Sequence, residues 1–203
     1  MIVTYNSLLN GSRGNWYSWA EEMGLYIEQS SLEDMMNDSD TKYLVIDTRD
    51  DDAQGGSIKG GIHLPDGKWD EKSSQKILDS ASTTAKDTFV VFHCMESARR
   101  GPRCARRFLE YLINFLRIDY DVINEPAALR NLEKYSGIPR VRILKGGADL
   151  WIRHYHRRDS KVENFDDNFW GFDDIEPEMT GEHHVLYKRP IDQCPTPWTS
   201  LIC

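Results

Sequence analysis

Three short, mostly apolar runs, at residues 43–46, 89–92 and 141–144, constrain the fold most strongly. Their length is typical of buried strands rather than of core helices. Helical patterns lie between them, over about residues 70–80 and again from Gly101 and Pro102 onward. Proline is favourable near a helix start because its missing N–H would be unpaired there. This alternation predicts an α/β fold, with a parallel sheet of about five strands and helices on both faces.

The charge and cysteine content exclude several classes of protein. A net charge of -8 argues against binding to nucleic acid or to an anionic membrane. No apolar run approaches the roughly 20 residues that span a bilayer, and residues 1–10 lack a secretory pattern. The four cysteines form no CxxC pair and are too sparse for a disulfide scaffold, so we expect neither a metal site nor an oxidising compartment. The prediction is a cytoplasmic protein, with the nucleus as the alternative.

Composition divides the chain into three parts. Residues 1–24 show no clean periodicity and are predicted to be an N-terminal extension. Residues 25–158 contain the alternating strands and helices and form the predicted catalytic domain. Residues 159–203 are rich in acidic residues, with scattered aromatic residues and prolines, and predict an acidic C-terminal extension over the core.

The segment after the apolar run at 89–92 contains the candidate catalytic and anion-binding residues. Cys94 stands at the predicted C-terminal end of a buried strand, where open parallel sheets place their ligands. Loop amides and a helix N-terminus form an anion site, and an arginine adds a planar pair of donors. We therefore predict Cys94 as nucleophile, Arg100 as the oxyanion clamp, and an oxyanion-binding loop of six residues: Met95, Glu96, Ser97, Ala98, Arg99 and Arg100.

Several neighbours are predicted to support this loop. Positive groups around Cys94 would favour its thiolate, and Ser97 is placed to hydrogen-bond that thiolate. His93 is expected to brace the loop from behind rather than act as a base, since a stabilised thiolate needs none. Asp47 and Arg49 are expected to be structural, with Asp47 binding loop amides and Arg49 pairing with a nearby acid. The alternative, a buried structural cysteine with a solvated run of arginines, does not explain the loop as a whole.

These motifs resemble the rhodanese family. The likeness is greatest to the branch of dual-specificity phosphatases that activate cyclin-dependent kinases, and to related small eukaryotic phosphatases and arsenate reductases. It lies at residues 45–49, 55–62, 93–102 and 143–147, followed by Trp151, and covers roughly residues 25–155. It implies a rhodanese-like fold. Sulfurtransferases of this fold usually have one loop residue fewer, so the Cys-x5-Arg loop resembles the phosphatase and reductase form.

The chain also departs from that branch at two positions. Thr48 replaces a cysteine that can form a protective disulfide in the kinase-activating enzymes, so we expect that regulation to be missing. Those enzymes carry an acid directly after the nucleophile, where this chain has Met95. Glu96, one position later, is the candidate for the general acid, and the alternative is a loop residue that faces solvent.

The resemblance leaves four functions open. The first is a phosphatase of the protein tyrosine or dual-specificity type that acts through a phosphocysteine and needs no cofactor. The second is an arsenate reductase that uses glutathione as reductant. The third is a thiosulfate-type sulfurtransferase, and the fourth is a non-catalytic module that binds phosphorylated protein. The expected partners are a phosphorylated protein or a small phosphate or arsenate oxyanion.

Overall fold

The structure is a computed structural model that describes residues 15–82, 88–135 and 137–171. Its helices are α1 (Trp16–Glu22), α2 (Gln29–Asn37), α3 (Glu71–Ser82), α4 (Arg100–Leu116), α5 (Pro126–Leu132), α6 (Gly147–Tyr155) and α7 (Asp167–Trp170). Its strands are β1 (Tyr26–Ile27), β2 (Lys42–Asp47), β3 (Ser57–Ile58), β4 (Ile62–His63), β5 (Thr88–His93), β6 (Arg140–Leu144) and β7 (Val162–Glu163). In these ranges no helix is both long and apolar enough to cross a membrane.

The main sheet confirms the predicted fold class. It has five parallel strands in the order β1-β6-β5-β2-β4, so that β5 lies at the centre. The last four residues of β5 are all buried. A continuous buried run is typical of a parallel strand that is covered on both faces. The predicted runs at 43–46, 89–92 and 141–144 fall in β2, β5 and β6.

Helix α4 packs against the strand that delivers the candidate nucleophile. Its inward face is fully or almost fully buried and includes Cys104, Phe108 and Leu112. The Phe108 ring lies 5.8 Å from the Phe92 ring, centroid to centroid. At Gly101, an added Cβ would lie 3.4 Å from the backbone nitrogen of Cys94, so the first turn of α4 rests against the end of β5.

Residues of the predicted C-terminal extension pair with the domain. Strand β7 pairs antiparallel with β3. The Trp170 indole donates a hydrogen bond of 2.7 Å to the Gly55 carbonyl, and the Trp151 indole donates one of 3.0 Å to the Lys161 carbonyl. The boundary at 158 stays a prediction, and most of the extension, residues 172–203, lies outside the described residues.

The predicted N-terminal extension is described only over residues 15–24, and these include helix α1. Ala20 on this helix is fully buried. The Trp19 indole donates a hydrogen bond of 3.2 Å to the Ile123 carbonyl. The described part of this segment therefore contributes to the core.

A buried ion pair fixes the end of β2. The side chain of Arg49 is fully buried, and it donates to the Asp47 carboxylate from Nε at 3.0 Å and from Nη2 at 2.7 Å. Nη2 also donates to the Gly56 carbonyl at 2.8 Å. These bonds join the strand end to the loop that leads into β3.

We predict that Arg49→Leu destabilises the protein strongly. The substitution leaves the Asp47 carboxylate buried without its guanidinium, a change that typically costs about 3–5 kcal/mol. The matched control is Lys59→Gln, which removes an exposed cation whose amine lies 3.7 Å from Glu163, and it should cost less than about 1 kcal/mol. Urea unfolding measures both, and equal losses would contradict a stabilising role for the buried pair.

Candidate active site

Cys94 directly follows β5, and its side chain is buried. The preceding residue, His93, pairs in register with Asp47 at the end of β2. Five residues then turn, and Arg100 begins helix α4. The nucleophile predicted from sequence therefore lies at the carboxyl edge of the central strand, the place where open parallel sheets bind ligands.

The first amides of α6 hold the loop by its carbonyl groups. The Ala148 N–H donates to the Cys94 carbonyl, and the Asp149 N–H donates to the Met95 carbonyl, both at 2.9 Å. In a planar trans peptide the C=O and the N–H point in opposite directions. The amides of Met95 and Glu96 therefore point away from α6, toward the concave side of the loop.

Two further carbonyls of this segment are also held from outside. The Thr48 amide and hydroxyl both donate to the His93 carbonyl at 2.8 Å. The Tyr26 hydroxyl donates to the Ser97 carbonyl at 2.7 Å. The amides of residues 95–99 donate to no acceptor within the described ranges. Successive amides with no internal partner are the property that an anion nest requires.

Ser97 has an unusual backbone at the middle of the loop. Its φ is 56°, in the left-handed region that is uncommon for residues other than glycine. The residue is fully buried, and its hydroxyl oxygen has no hydrogen-bond partner in the described part of the chain. Backbone strain of this kind clusters at functional sites. The hydroxyl is available to a bound anion or to the Cys94 sulfur in the same loop.

The N-terminus of α4 follows directly on the loop after Cys94 and adds further amides to it. Its N-cap residue, Arg99, makes no side-chain capping bond, so the amides of Arg100 and Gly101 are left for a ligand. Pro102 has no N–H, and the Arg103 amide donates to the Arg99 carbonyl at 3.0 Å. The side chains of Arg99 and Glu96 are exposed, whereas those of Met95 and Ala98 are half-buried. The role of Glu96 as general acid stays a prediction, since its side chain is exposed and has no hydrogen-bond or ion-pair partner in the described part of the chain.

Arg100 is held by two acids that sequence reasoning did not connect to it. Its Nη1 and Nη2 donate to the two carboxylate oxygens of Asp52 at 2.6 Å and 2.5 Å, and Nη1 also lies 3.3 Å from an oxygen of Asp50. The Asp52 hydrogen bonds raise the pKa of Arg100 above its ordinary value. The signal that could have shown this is the acidic run at 50–52, which begins three residues after the end of β2, the strand beside β5.

His93 lies behind the loop. It is fully buried, with Nδ1 3.3 Å from the Cys94 carbonyl and 3.9 Å from an Asp47 oxygen. Burial lowers the pKa of His93, so the imidazole is neutral at pH 7. Burial opposes ionisation of Asp47, but His93, once it is protonated in acid, and the Arg49 guanidinium outweigh burial and lower the pKa of Asp47 to about 2. A neutral imidazole between a carbonyl and a carboxylate fits the supporting role predicted for it.

Comparison with known protein families identifies the domain. A family model described as the rhodanese-like domain matches residues 28–154. The chain belongs to the rhodanese-like family. Its fold resembles that of Ygr203w, a yeast protein tyrosine phosphatase of the rhodanese family, with a TM-score of 0.53 and 22% identity over 71% of this chain and 95% of the yeast one.

Relatives of the chain carry the names of two activities. The chain is 30% identical to the dual specificity phosphatase ibp1 of Schizosaccharomyces pombe, over 68% of this chain and 95% of the relative. It is 42% identical to the dual specificity phosphatase Cdc25 of Arabidopsis thaliana, over 53% of this chain and 60% of the relative. It is also 32% identical to arsenate reductase 2.2 of rice, over 43% of this chain and 63% of the relative.

Gly147 is where α6 approaches the loop most closely. Its φ is 57°, and an added Cβ would lie 2.4 Å from the carbonyl oxygens of both Cys94 and Met95. Neither backbone atom can move without moving the loop. The family resemblance at residues 143–147 includes this glycine, and the close approach explains why a residue with a side chain does not fit here.

We predict that Gly147→Ala displaces the Cys94 loop and lowers its affinity for tungstate. Because small displacements of catalytic groups can cost about 100-fold, activity that depends on Cys94 should fall by a similar factor. Gly60→Ala is the matched control, since Gly60 also has a positive φ but open space around its Cβ position. Tungstate protection of Cys94 against alkylation measures the affinity. Equal protection in the two variants would show that the α6 contact does not shape the loop.

Proposed function

We propose that the protein is a cysteine-dependent phosphatase that hydrolyses phosphate monoesters through a phosphocysteine. One observation carries the proposal: a single loop of the Cys-x5-Arg length brings together Cys94, the unpaired amides of residues 95–99 and Arg100. A tetrahedral dianion fits such a set of donors. No cofactor or metal is needed, because the loop and the arginine supply the positive charge.

In the first step the Cys94 thiolate attacks phosphorus. A sulfur–phosphorus bond forms, and the bond from phosphorus to the leaving oxygen breaks. The loop amides and Arg100 bind the three equatorial oxygens, where charge is carried in the transition state. The leaving oxygen departs with a proton from a general acid, for which Glu96 is the candidate.

In the second step water attacks the phosphocysteine. A phosphorus–oxygen bond forms, the sulfur–phosphorus bond breaks, and Cys94 returns to the thiolate. The products are inorganic phosphate and the alcohol or phenol of the substrate. The buried Ser97 hydroxyl has no other partner among the described residues. It is therefore free to donate a hydrogen bond to the thiolate as that group leaves phosphorus.

The proposed substrate is a phosphorylated protein side chain. Two of the curated relatives are named dual specificity phosphatases, and the yeast structural neighbour is called a protein tyrosine phosphatase. These names support the dual-specificity or tyrosine type. Small phosphate esters are expected to enter the same loop.

Arsenate reduction in the same loop is the second candidate, favoured by the similarity to the rice arsenate reductase. Arsenate would lose water on forming an adduct with the Cys94 sulfur. Glutathione would then attack that sulfur, releasing arsenite and leaving a mixed disulfide. A second glutathione would restore Cys94 and form oxidised glutathione, so two thiols supply the two electrons.

We predict that the wild-type protein hydrolyses nitrophenyl phosphate and that Cys94→Ser abolishes this activity. Arg100→Lys should lower kcat/KM by roughly 100-fold or more, because a lysine cannot give a bidentate pair of donors to the transition state. Parallel assays with arsenate and glutathione, and with thiosulfate and cyanide, measure the competing activities. Arg130→Lys, on α5, is the control substitution and should leave kcat/KM unchanged.

Two results would contradict the proposal. One is turnover of arsenate or thiosulfate that exceeds phosphate release under matched conditions. The other is tight tungstate binding with no turnover of any substrate, which would indicate a binding module.

We predict that Glu96→Gln affects poor leaving groups most. A general acid matters little for nitrophenolate, which leaves without a proton, and matters more for an alkyl alcohol. The ratio of kcat for nitrophenyl phosphate to kcat for an alkyl phosphate should therefore rise by roughly 10-fold or more in the variant. Arg99→Gln, at an exposed position on the same loop, is the control. An unchanged ratio in Glu96→Gln would exclude Glu96 as the acid.

A further inference from the structure

We propose that Asp52 is a positioning residue for the oxyanion clamp. It binds one edge of the Arg100 guanidinium and thereby presents the other edge to the substrate oxyanion. This inference rests on the proposed function for its catalytic meaning, but its geometric content concerns anion binding alone.

The hydrogen-bond donors of Arg100 divide into two sets. A guanidinium has five N–H groups in a fixed plane. Nη1 donates to Asp50 and to Asp52, and Nη2 donates once to Asp52. The Nε–H and the second Nη2–H have no acceptor within the described ranges. These two point along one edge of the plane and form the second fork that can bind two oxygens of a tetrahedral anion.

The two acids are themselves fixed. The Asp50 amide donates to a carboxylate oxygen of Asp52 at 3.0 Å. The Gly67 amide, in the short 3-10 helix at Asp66–Lys68, donates to the other carboxylate oxygen of Asp50 at 2.8 Å. Arg100 is therefore bound by a loop that backbone hydrogen bonds hold in place. These bonds restrict the rotamer of Arg100 before any anion binds.

The hydrogen bonds between Arg100 and Asp52 also keep the Asp52 carboxylate ionised. Burial opposes ionisation of Asp52, but the hydrogen bonds and charge of Arg100 outweigh it and lower its pKa. A carboxylate beside the clamp also reduces the attraction of Arg100 for an anion. Since the Nε edge can bind without breaking the Asp52 pair, the geometry favours positioning over competition.

Asp52 is not the anchor of α4. That helix is held to the 3-10 helix at Asp66–Lys68 by a separate buried acid, Asp66, which accepts from Arg103 Nε at 2.9 Å and from Arg107 Nη1 at 3.2 Å. Loss of Asp52 should therefore leave the helix and the core in place, so that an effect on the clamp can be measured in a folded protein.

The experiment compares Asp52→Asn with Asp51→Asn in the full chain. Asp51 is exposed and is an acid of the same loop, whereas the side-chain hydrogen bonds of Arg100 go to Asp50 and Asp52. Tungstate affinity is measured by protection of Cys94 against alkylation, and kcat and KM are measured with nitrophenyl phosphate. Asp52→Asn should weaken tungstate binding and lower kcat/KM by roughly 10- to 100-fold, as expected for loss of a group that orients a ligand-binding side chain. Asp51→Asn should stay within about twofold of wild type.

The outcomes distinguish a failure of the positioning role of Asp52 from a failure of the proposed phosphatase activity. Unchanged or tighter tungstate binding in Asp52→Asn overturns the positioning role, and tighter binding identifies Asp52 as a competitor of the anion. If the wild type binds tungstate but hydrolyses no phosphate ester, the proposed function fails, and the binding comparison still tests Asp52. If Asp52→Asn does not fold, Asp52→Glu decides: its longer side chain moves the carboxylate, so weaker tungstate binding supports the role and unchanged binding overturns it.

Discussion

Two hydrogen bonds from the start of α6 to the carbonyls of Cys94 and Met95 determine the shape of the site. They turn those carbonyls outward, and peptide planarity then turns the following amides inward. The close approach that these bonds need is available only because residue 147 is a glycine with a positive φ. A loop whose carbonyls are bound by another element can offer several amides to one anion without reorganisation, which is the condition for strong electrostatic stabilisation of a transition state.

The supports of this loop come from distant parts of the chain. Thr48 binds the carbonyl before the nucleophile, and the Asp47–Arg49 pair fixes the end of β2 beside it. The acidic loop that follows Arg49 then reaches the clamp, Arg100, through Asp52. Strand β2 therefore supports both the nucleophile and the guanidinium, and a parallel sheet makes this possible because the carboxyl ends of adjacent strands share one edge.

The sequence predicted the sheet, helix α4 and the position of Cys94 at the end of a buried strand, because these depend on local patterns. Apolar runs identify β2, β5 and β6, and the proline and periodicity after Arg100 identify α4. The partners of Arg100 and the bonds from α6 could not be predicted, because they join residues about 50 positions apart and depend on how the loops fold. From the sequence we predicted only that the Arg100 guanidinium binds the oxyanion. In the structure one edge of that guanidinium binds the Asp52 carboxylate.

The most direct test of this account is a crystal structure of Cys94→Ser with tungstate. The account predicts one tungstate over residue 94, with amides of residues 95–99 and the Nε and Nη2 groups of Arg100 at hydrogen-bond distances of about 2.7–3.2 Å. The carbonyls of residues 94 and 95 should still accept from α6. A tungstate bound elsewhere, or a loop whose carbonyls face the anion, would contradict the central claim that α6 holds these amides ready for an oxyanion.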